Sequence, residues 1–351
     1  MKRLNNEMLS FVRQSLGLRK SASVRSSPLA KGGSNRTFHR ITYEHGSAVF
    51  MVYDLAREEN GYYAAIARFL LTVSVPVPGI IAHDPERGLI LMEDLGDRDL
   101  WSYREEPWTK RSAFYRETLA AIHRLHAFSV RDFPAAEVPL MEAFSRDLYK
   151  WEHEYFFDNF VHAVCGINLD GTEKRELEAE LEKLAAGLLD MPASLVHRDL
   201  QSQNVMICNG RPVFVDFQGM RFGNPLYDLG SLLYDPYASL TEDERVELLR
   251  YYYELSAEDF ENNETGRAGV VNHLSAWSAF REGFRNAAAQ RLMQALGAYG
   301  FLGLERGLRA FLTHIPAGIA NLVDSASRSQ RLPLLKTLAI RCQQSLTLKI
   351  S

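Results

Sequence analysis

The sequence predicts an α+β fold with two lobes, a small β-rich N-terminal lobe followed by a larger, mainly helical C-terminal lobe. Two observations predict it: alternating and β-branched segments concentrate before about Gly96, and helical periodicity dominates after it. An apolar, strand-like set of segments interrupts the helical part, at 194–197, 205–208 and 212–217. We expect the lobes to span residues 1–95 and 96–351, with a cleft between them.

The N-terminal third predicts a small sheet. Hydrophobic residues at near-helical spacing predict a short amphipathic helix over 5–18, and the Ser-, Gly- and Lys/Arg-rich segment 20–36 indicates a loop or strand edges. The segment FHRITYEHGSAVFMVYD alternates on both sides of His45-Gly46, which is typical of a hairpin. A helix and two strands joined by a turn complete this part, at Arg57 to Val73, Gly79 to His83 and Leu89 to Glu93.

In the second part of the chain, periodicity predicts a series of helices, at 111–127, 142–165, 172–190, 241–255, 270–298 and 300–322.

The formal net charge of the 351 residues is −4, which provides no positive field for a nucleic-acid partner. Three widely spaced cysteines fit a reducing compartment. The N-terminus lacks the apolar core of a signal peptide, and no run is long enough to span a membrane, so we expect a cytoplasmic protein without a membrane partner.

The stretch LVHRDLQSQN, residues 195–204, carries a catalytic pattern. Asp199 and Asn204 are five positions apart, the spacing of the HRDxxxxN loop of kinase-type phosphotransferases. One such loop directs a carboxylate at the acceptor hydroxyl and an amide oxygen at Mg²⁺. Twelve residues later PVFVDFQG places Asp216 at the end of an apolar strand, where it can be a second metal ligand. The strands that precede the two motifs are close enough in sequence to pair.

These residues support a named resemblance. VHRDLQSQNVMI, VFVDFQG and NPLYDLGSLL resemble the aminoglycoside phosphotransferase and choline kinase superfamily, whose fold is protein-kinase-like. GGSNRTFHR, ENGYYAAIARFL, VPVPGIIAHDPERGLILMEDLGDRDL and NAAAQRLMQALGAYGFL further resemble the bacterial anomeric kinases of N-acetylmuramate and N-acetylglucosamine. The resemblance implies ATP and Mg²⁺ as cofactors and transfer to the C1 hydroxyl of an amino sugar in cell-wall recycling. Asp228 matches the superfamily's aspartate behind the catalytic loop, or it is a plain helix N-cap.

Two other functions stay open at this point. One is a kinase of another hydroxylated acceptor, such as an aminoglycoside or choline. The other is a nucleotide-binding, pseudokinase-like module. The second arises because the strand SAVFMVYD lacks the lysine that pairs with the α and β phosphates in protein kinases. We expect Val52 or Tyr53 to fill the place of that lysine.

Other residues could bind the nucleotide. Arg36 and Arg40 are an even number of positions apart and share one face of a strand, where they bind phosphate or are solvated. Gly32, Gly33 and Ser34 in KGGSN resemble a phosphate-covering turn, although a plain hairpin turn would look the same. The segment Met92, Glu93, Asp94 and Leu95 joins the lobes, and its backbone is expected to contact adenine.

The acceptor side is less well defined by the sequence. Arg281, Arg285, Gln290 and Arg291, with Glu282 nearby, suit a hydroxylated or carboxylated sugar better than a polyamine, unless they are solvated on a helix surface. The aromatic stretches WEHEYFFDNF and RYYYEL form either a sugar-stacking wall or part of the core. His123 and His126 are expected to pack near the catalytic loop. The oligomeric state is not predicted.

Overall fold

The computed structural model describes residues 4–29, 36–262 and 276–350. The N-terminal lobe contains an antiparallel sheet of five strands in the order β1-β2-β3-β5-β4. These strands are β1 (Arg25–Leu29), β2 (Thr37–Tyr43), β3 (Gly46–Val52), β4 (Ile80–Asp84) and β5 (Leu89–Glu93). Helices α1 (Asn6–Ser15) and α2 (Glu58–Thr72) accompany them. The predicted hairpin, the two later strands and both helices are confirmed.

The two faces of the sheet have different partners because side chains alternate along each strand. On one face Ile41 and Phe50 are fully buried together with Val12 of α1. On the opposite face Met51 is fully buried in the larger core that also contains Tyr63 of α2. Helix α1 therefore covers the outer face of the sheet, and the inner face is directed at α2 and the cleft.

The C-terminal lobe is mainly helical, as predicted. Its helices are α3 (Trp108–His126), α4 (Arg146–Phe156), α5 (Gly171–Leu189), α6 (Leu226–Leu233), α7 (Glu242–Asn262), α8 (Trp277–Gly300), α9 (Ile315–Arg328) and α10 (Pro333–Ile350). Helix α8 is central and packs against α4, α6 and α9. Gly230 of α6 permits a close approach, since a Cβ there would lie 2.7 Å from the Cα of Ala288. In the described part of the chain, no helix is long and apolar enough to cross a membrane.

Periodicity overestimates the length of two helices. The segment predicted as helix 142–165 begins only at Arg146, after the N-cap Ser145, and α4 continues into a π-helical turn at Phe157–His162. The helix predicted at 300–322 is interrupted, because Gly307 adopts φ +68° and α9 begins later, with a proline in its first turn. Helix α10 was not predicted.

The short strands of the C-terminal lobe position the two sequence motifs. They are β6 (Ser194–Val196), β7 (Val205–Cys208), β8 (Arg211–Phe214) and β9 (Arg221–Gly223). The expected pairing of the strands that precede the motifs is wrong, because β6 pairs with β9 and β7 pairs with β8. The motifs are joined instead by a backbone hydrogen bond of 3.0 Å from Val215 N–H to the Asn204 carbonyl. That bond sets the ends of the two motifs side by side.

Candidate active site

A buried carboxylate fixes the start of the segment 197–204. Asp228 is fully buried and accepts hydrogen bonds from the backbone N–H groups of His197 at 2.6 Å and Arg198 at 2.8 Å. Arg198 has φ +76°, a left-handed conformation that costs energy in a residue with a side chain. Helix α6 is preceded by Pro225 and has no side-chain cap. The structure therefore favours the interpretation of Asp228 as the aspartate behind the loop.

One of the two histidines of α3 contacts this carboxylate, and the other contacts Tyr252, to which the first is bonded. The Nε2 atom of His126 lies 3.1 Å from Asp228, and its Nδ1 atom lies 2.7 Å from the hydroxyl of Tyr252. The ring of His123 meets the ring of Tyr252 edge-on at 5.4 Å. The expected location near the loop is confirmed for both.

A second buried carboxylate fixes the other end of the loop. Asp235 accepts hydrogen bonds from the backbone N–H groups of Ser202 at 2.7 Å and Tyr237 at 3.0 Å. Burial raises the pKa of Asp235 to about 6, although these hydrogen bonds oppose the shift. Asp235 was not predicted as a loop residue from the sequence. Its signal is an aspartate within the apolar stretch SLLYDPY, since a buried acid needs hydrogen-bond partners.

Asp199 is oriented by two neighbours. Its Oδ1 atom accepts a hydrogen bond of 2.7 Å from Nη2 of Arg291, which is only 5% exposed. The Nδ2 atom of Asn204 donates to the Asp199 carbonyl at 2.9 Å and to Oδ2 at 3.3 Å. Because the amide nitrogen of Asn204 is engaged within the loop, its carbonyl oxygen is the atom that can bind a metal ion.

Asp216 follows β8 in a left-handed conformation, with φ +67°. Its carboxylate pairs with Arg36 and accepts a hydrogen bond of 3.0 Å from Gln218. Burial alone would raise the pKa of Asp216, but the charge and hydrogen bonds of Arg36 and Gln218 outweigh it and lower the pKa. Asp216 is therefore ionised. An ionised carboxylate beside an amide oxygen fits Mg²⁺, which prefers oxygen ligands and completes its shell with water and phosphate.

A cavity of about 380 Å³ lies between the lobes. Its walls include the predicted hinge Met92–Leu95 and both candidate metal ligands, Asn204 and Asp216. Apolar side chains supply much of the remaining wall, among them Leu29, Phe38, Val49, Pro78, Met206 and Val215. The cavity thus combines apolar walls with polar oxygen ligands, as a nucleotide base and its phosphates require.

Strand β3 contributes Val49 to the cavity wall, and neither Val52 nor Tyr53, the two residues expected in the place of the strand lysine, lines the cavity. Val49 and Met51 share one face of the strand with their cross-strand partners Arg40 and Phe38. Val52 packs on the α1 side of the sheet. The hydroxyl of Tyr53 is bonded to His83 at 2.9 Å, away from the cavity.

An aromatic contact joins α2 to the DFQG turn. Tyr63 of α2 lines the cavity, and its ring lies 4.4 Å from that of Phe217. Its hydroxyl donates to the sulfur of Met92 at 3.7 Å. The contact between the helix and the DFQG turn is therefore aromatic in this protein, and Arg36 supplies the positive charge near Asp216.

The two arginines before and within β2 have different positions. Arg36 lines the cavity and pairs with Asp216. Arg40 bonds Asp94 at 2.7 and 3.1 Å and lies 2.7 Å from Asp97. The geometry supports a phosphate contact for Arg36, whereas Arg40 braces the hinge. The predicted turn Gly32, Gly33 and Ser34 lies outside the described residues.

On the acceptor side, the structure separates the residues that the sequence grouped. Arg281 lies 4.0 Å from Glu242, and Arg285 donates to the carbonyl of Arg328 at 3.0 Å. Glu282 accepts a hydrogen bond from the backbone after α9. These three residues are committed to the contact of α8 with α7 and α9.

Gln290 and Arg291 do not take part in the contact of α8 with α7 and α9. Gln290 is fully buried and bonds Glu152 at 2.9 Å and His153 at 2.7 Å, so it belongs to the core. Arg291 reaches Asp199 and is buried, which excludes the alternative of a solvated surface arginine. This contact joins residues 92 positions apart, and no local pattern could reveal it.

The two aromatic stretches also contain both buried and exposed side chains. Phe156 and Phe160 are fully buried, and Tyr252 is 1% exposed, so these rings belong to the core. Trp151, in contrast, is 49% exposed and stacks on Tyr155 with 5.0 Å between the ring centroids. The core interpretation is correct for most of both stretches, but the Trp151–Tyr155 pair is presented to solvent.

A two-lobed fold with an asparagine and an aspartate in the wall of one interlobe cavity, and a further aspartate bonded to that asparagine, defines a phosphotransferase of the protein-kinase-like class. The family comparison agrees: the model of the APH phosphotransferase enzyme family matches residues 26–262. The chain belongs to this family.

Three of the curated relatives of this chain have the same name. The chain is 24% identical over 283 residues to the N-acetylmuramate/N-acetylglucosamine kinase of Neisseria meningitidis serogroup B, covering 80% of this chain and 79% of that protein. It is 26% identical to the protein of the same name from Pseudomonas aeruginosa, covering 72% and 75%. The corresponding Pseudomonas putida protein is 24% identical, covering 91% and 90%.

Solved structures show the same fold. The Plasmodium vivax ethanolamine kinase gives a TM-score of 0.61 at 14% identity, covering 95% of this chain and 89% of that one. The gentamicin complex of APH(2'')-IIa gives 0.60 at 15% identity, covering 96% and 99%. The streptomycin–ATP ternary complex of the latter enzyme gives 0.56 at 15% identity, covering 84% and 91%.

Proposed function

We propose that this protein is an ATP-dependent kinase that phosphorylates the anomeric C1 hydroxyl of N-acetylmuramate, N-acetylglucosamine or both. The observation that carries the proposal is Asp199, oriented by Arg291 and bonded to Asn204, which lines the interlobe cavity together with Asp216. The sugar comes from the printed names of the curated relatives. The arginines near Asp199 support a sugar better than a polycationic acceptor.

In the proposed reaction Asp199 accepts the proton of the acceptor hydroxyl. The hydroxyl oxygen forms a bond to the γ-phosphorus of ATP, the bond between that phosphorus and the β,γ-bridging oxygen breaks, and ADP leaves. Arg291 keeps the carboxylate in one orientation through its 2.7 Å hydrogen bond. Restricting the base to one geometry is the contribution that we assign to this arginine.

The remaining roles concern the nucleotide. Asn204 and Asp216 would hold Mg²⁺, which supplies charge neutralisation at the phosphates. Arg36 replaces the strand lysine as the phosphate-binding cation, and the backbone of Met92–Leu95 binds the base. ATP use is supported by the neighbouring structure with bound ATP. A boundary between the lobes at residues 95 and 96 is part of the same proposal, and the cytoplasmic location stays a prediction.

The test is ADP release with Mg²⁺–ATP and a panel of acceptors: N-acetylmuramate, N-acetylglucosamine, choline and an aminoglycoside. We expect turnover on at least one amino sugar and a loss of about 10²–10⁴-fold in Asp199→Asn, the usual contribution of a general base. The matched control is Asp190→Asn, because Asp190 is exposed at the end of α5.

Three outcomes would contradict the proposal in different ways. Turnover only on choline or the aminoglycoside excludes the sugar. Nucleotide binding without turnover on any acceptor favours the binding module that the missing strand lysine suggested. Full activity of Asp199→Asn shows that another group is the base.

A further inference from the structure

The backbone of the DFQG turn is held on both sides of Asp216. The ring of Phe217 is fully buried and lies 4.4 Å from the ring of Tyr63. On the other side, the N–H group of Val215 donates to the Asn204 carbonyl at 3.0 Å. None of these contacts involves the carboxylate of Asp216. The rotation of that side chain, which decides which oxygen a metal ion meets, is therefore set by other groups.

Two donors hold the carboxylate of Asp216, and both act on the same oxygen. Arg36 pairs with Oδ1, and Nε2 of Gln218 donates to Oδ1 at 3.0 Å. Among the described residues, Oδ2 accepts no hydrogen bond and forms no ion pair. A carboxylate oxygen without a donor is a suitable ligand for a cation that prefers oxygen. The arrangement thus leaves one oxygen of Asp216 for Mg²⁺.

The two donors differ in their origin. Arg36 belongs to the N-terminal lobe and, in the proposed function, binds the phosphates, so Asp216 and ATP compete for it. Gln218 lies two residues after Asp216 in the same short turn, and its bond to Oδ1 depends neither on the nucleotide nor on the other lobe. Gln218 is therefore the donor that can stay with Asp216 when Arg36 is engaged by phosphate.

The surroundings of Gln218 do not favour a purely structural role. Its Oε1 atom is sealed from solvent and has no donor among the described residues. A buried acceptor without a donor costs at least as much free energy as a single hydrogen bond at Nε2 contributes. The side chain therefore adds little to the stability of the fold, and its one hydrogen bond is directed at a candidate metal ligand.

We propose that Gln218 is a positioning residue for the metal ion, because it holds Oδ1 of Asp216 and thereby leaves Oδ2 to bind Mg²⁺. The DFG turn of protein kinases has glycine at this position and lacks such a side chain. Hydrogen bonds to a carboxylate that binds a metal commonly change the metal affinity by about 10- to 100-fold. This inference rests on the proposed function, since it concerns the metal site of the same reaction, but the acceptor takes no part in it.

The test measures binding of the β,γ-imido analogue of ATP, which is not hydrolysed, by isothermal titration with Mg²⁺ and with EDTA. The ratio of the two dissociation constants reports how strongly the metal ion supports nucleotide binding. Gln218→Met keeps the length of the side chain and removes its donor, so this ratio should fall by about 10- to 100-fold. The dissociation constant in EDTA should not change, because Gln218 acts only through the metal ligand.

Three comparisons separate this role from others. Gln14→Met is the matched control, since Gln14 is exposed on α1, and it should leave both dissociation constants at the wild-type values. Arg36→Met should weaken binding in EDTA as well, because a contact with phosphate is lost. The midpoint of urea denaturation of Gln218→Met should equal or exceed that of wild type, because the substitution also removes the buried acceptor.

Three results would overturn the inference: an unchanged ratio in Gln218→Met, equal weakening with and without Mg²⁺, or a wild type that binds the analogue equally well in Mg²⁺ and in EDTA. A reduced ratio in Gln218→Met supports the positioning role even if no sugar is phosphorylated, in which case only the proposed function fails. Turnover on an amino sugar together with an unchanged ratio leaves the proposed function intact and removes only the role of Gln218.

Discussion

Two regions border the interlobe cavity, and they differ in how their charges are arranged. The catalytic loop is fixed by buried carboxylates at both ends, Asp228 at its start and Asp235 near its end. The N-terminal lobe instead has no lysine on β3, and the side chain of that strand in the cavity wall is the apolar Val49. Arg36, from the segment before β2, is the cation paired with Asp216, and we propose it as the substitute for that lysine.

The difference shows which parts of the chemistry depend on exact placement. A base and a metal ligand must approach the reacting atoms from fixed positions, so they need a rigid loop. A phosphate clamp acts by charge and can originate from another strand. We therefore expect substitutions behind the loop to be more damaging than substitutions in the clamp.

The largest effect is expected for Asp228→Ala. This change leaves two buried backbone N–H groups without an acceptor and releases the strained backbone of Arg198. The free energy of unfolding should fall by about 3 kcal/mol or more. Urea denaturation measures this loss, and ADP release should show a loss of more than about 10²-fold in kcat. Wild-type turnover in this variant would show that the loop does not depend on the carboxylate.

The second carboxylate predicts a pH dependence. The folded state raises the pKa of Asp235 from its ordinary 3.8 to about 6, so the fold favours the neutral acid. The contribution of this acid to the free energy of unfolding is complete below the unfolded pKa and is lost as pH rises through 6. Relative to Asp235→Asn, wild type should lose up to about 3 kcal/mol of unfolding free energy from about pH 4 to about pH 7.5, because each pH unit between the two pKa values corresponds to about 1.4 kcal/mol. Urea denaturation of both proteins across this pH range measures the loss. Parallel curves for the two proteins would contradict a raised pKa of Asp235.

An intermediate effect is expected for Arg291, which acts through Asp199. In Arg291→Met the carboxylate loses its fixed orientation, and kcat should fall by about 10- to 100-fold while KM for ATP changes little. Arg291→Lys should recover part of kcat, since one donor is enough to reach Oδ1. A purely structural role would instead lower stability and leave the kinetic constants of the folded fraction unchanged.

The smallest effects are expected in the N-terminal lobe. Arg36→Ala should raise KM for ATP by about tenfold, because one charge–phosphate contact is lost. Arg40→Ala is the matched control, since Arg40 contacts Asp94 and the hinge, and it should change KM by less than about threefold. Equal effects of the two substitutions would place both arginines on the phosphates and would contradict the distinction drawn between them.

The sequence predicted the parts of this molecule whose signals are local. The spacing of Asp199 and Asn204 and the hairpin around His45-Gly46 are short-range patterns. The register of β3 could not be read, because several apolar residues in succession hide which side chains face the cleft. The structure places Val49, and neither Val52 nor Tyr53, in the cavity wall.

Other features depend on contacts between distant segments. Arg291 reaches Asp199 only because α8 packs against α6, which carries the carboxylate behind the loop. The pairing of β6 with β9 likewise follows from the path of the chain after Asp216. Gly307 interrupts a helical pattern in which apolar periodicity continues on both sides, so periodicity alone extended the helix.

The central claim is that the loop of Asp199 directs phosphate to the anomeric oxygen of an amino sugar. Proton-coupled ³¹P NMR of the product formed from N-acetylmuramate and Mg²⁺–ATP tests it most directly. We predict one new phosphomonoester signal coupled to the anomeric proton, absent with Asp199→Asn and present with Asp190→Asn. Coupling to the protons at another carbon, or release of inorganic phosphate alone, would contradict the account.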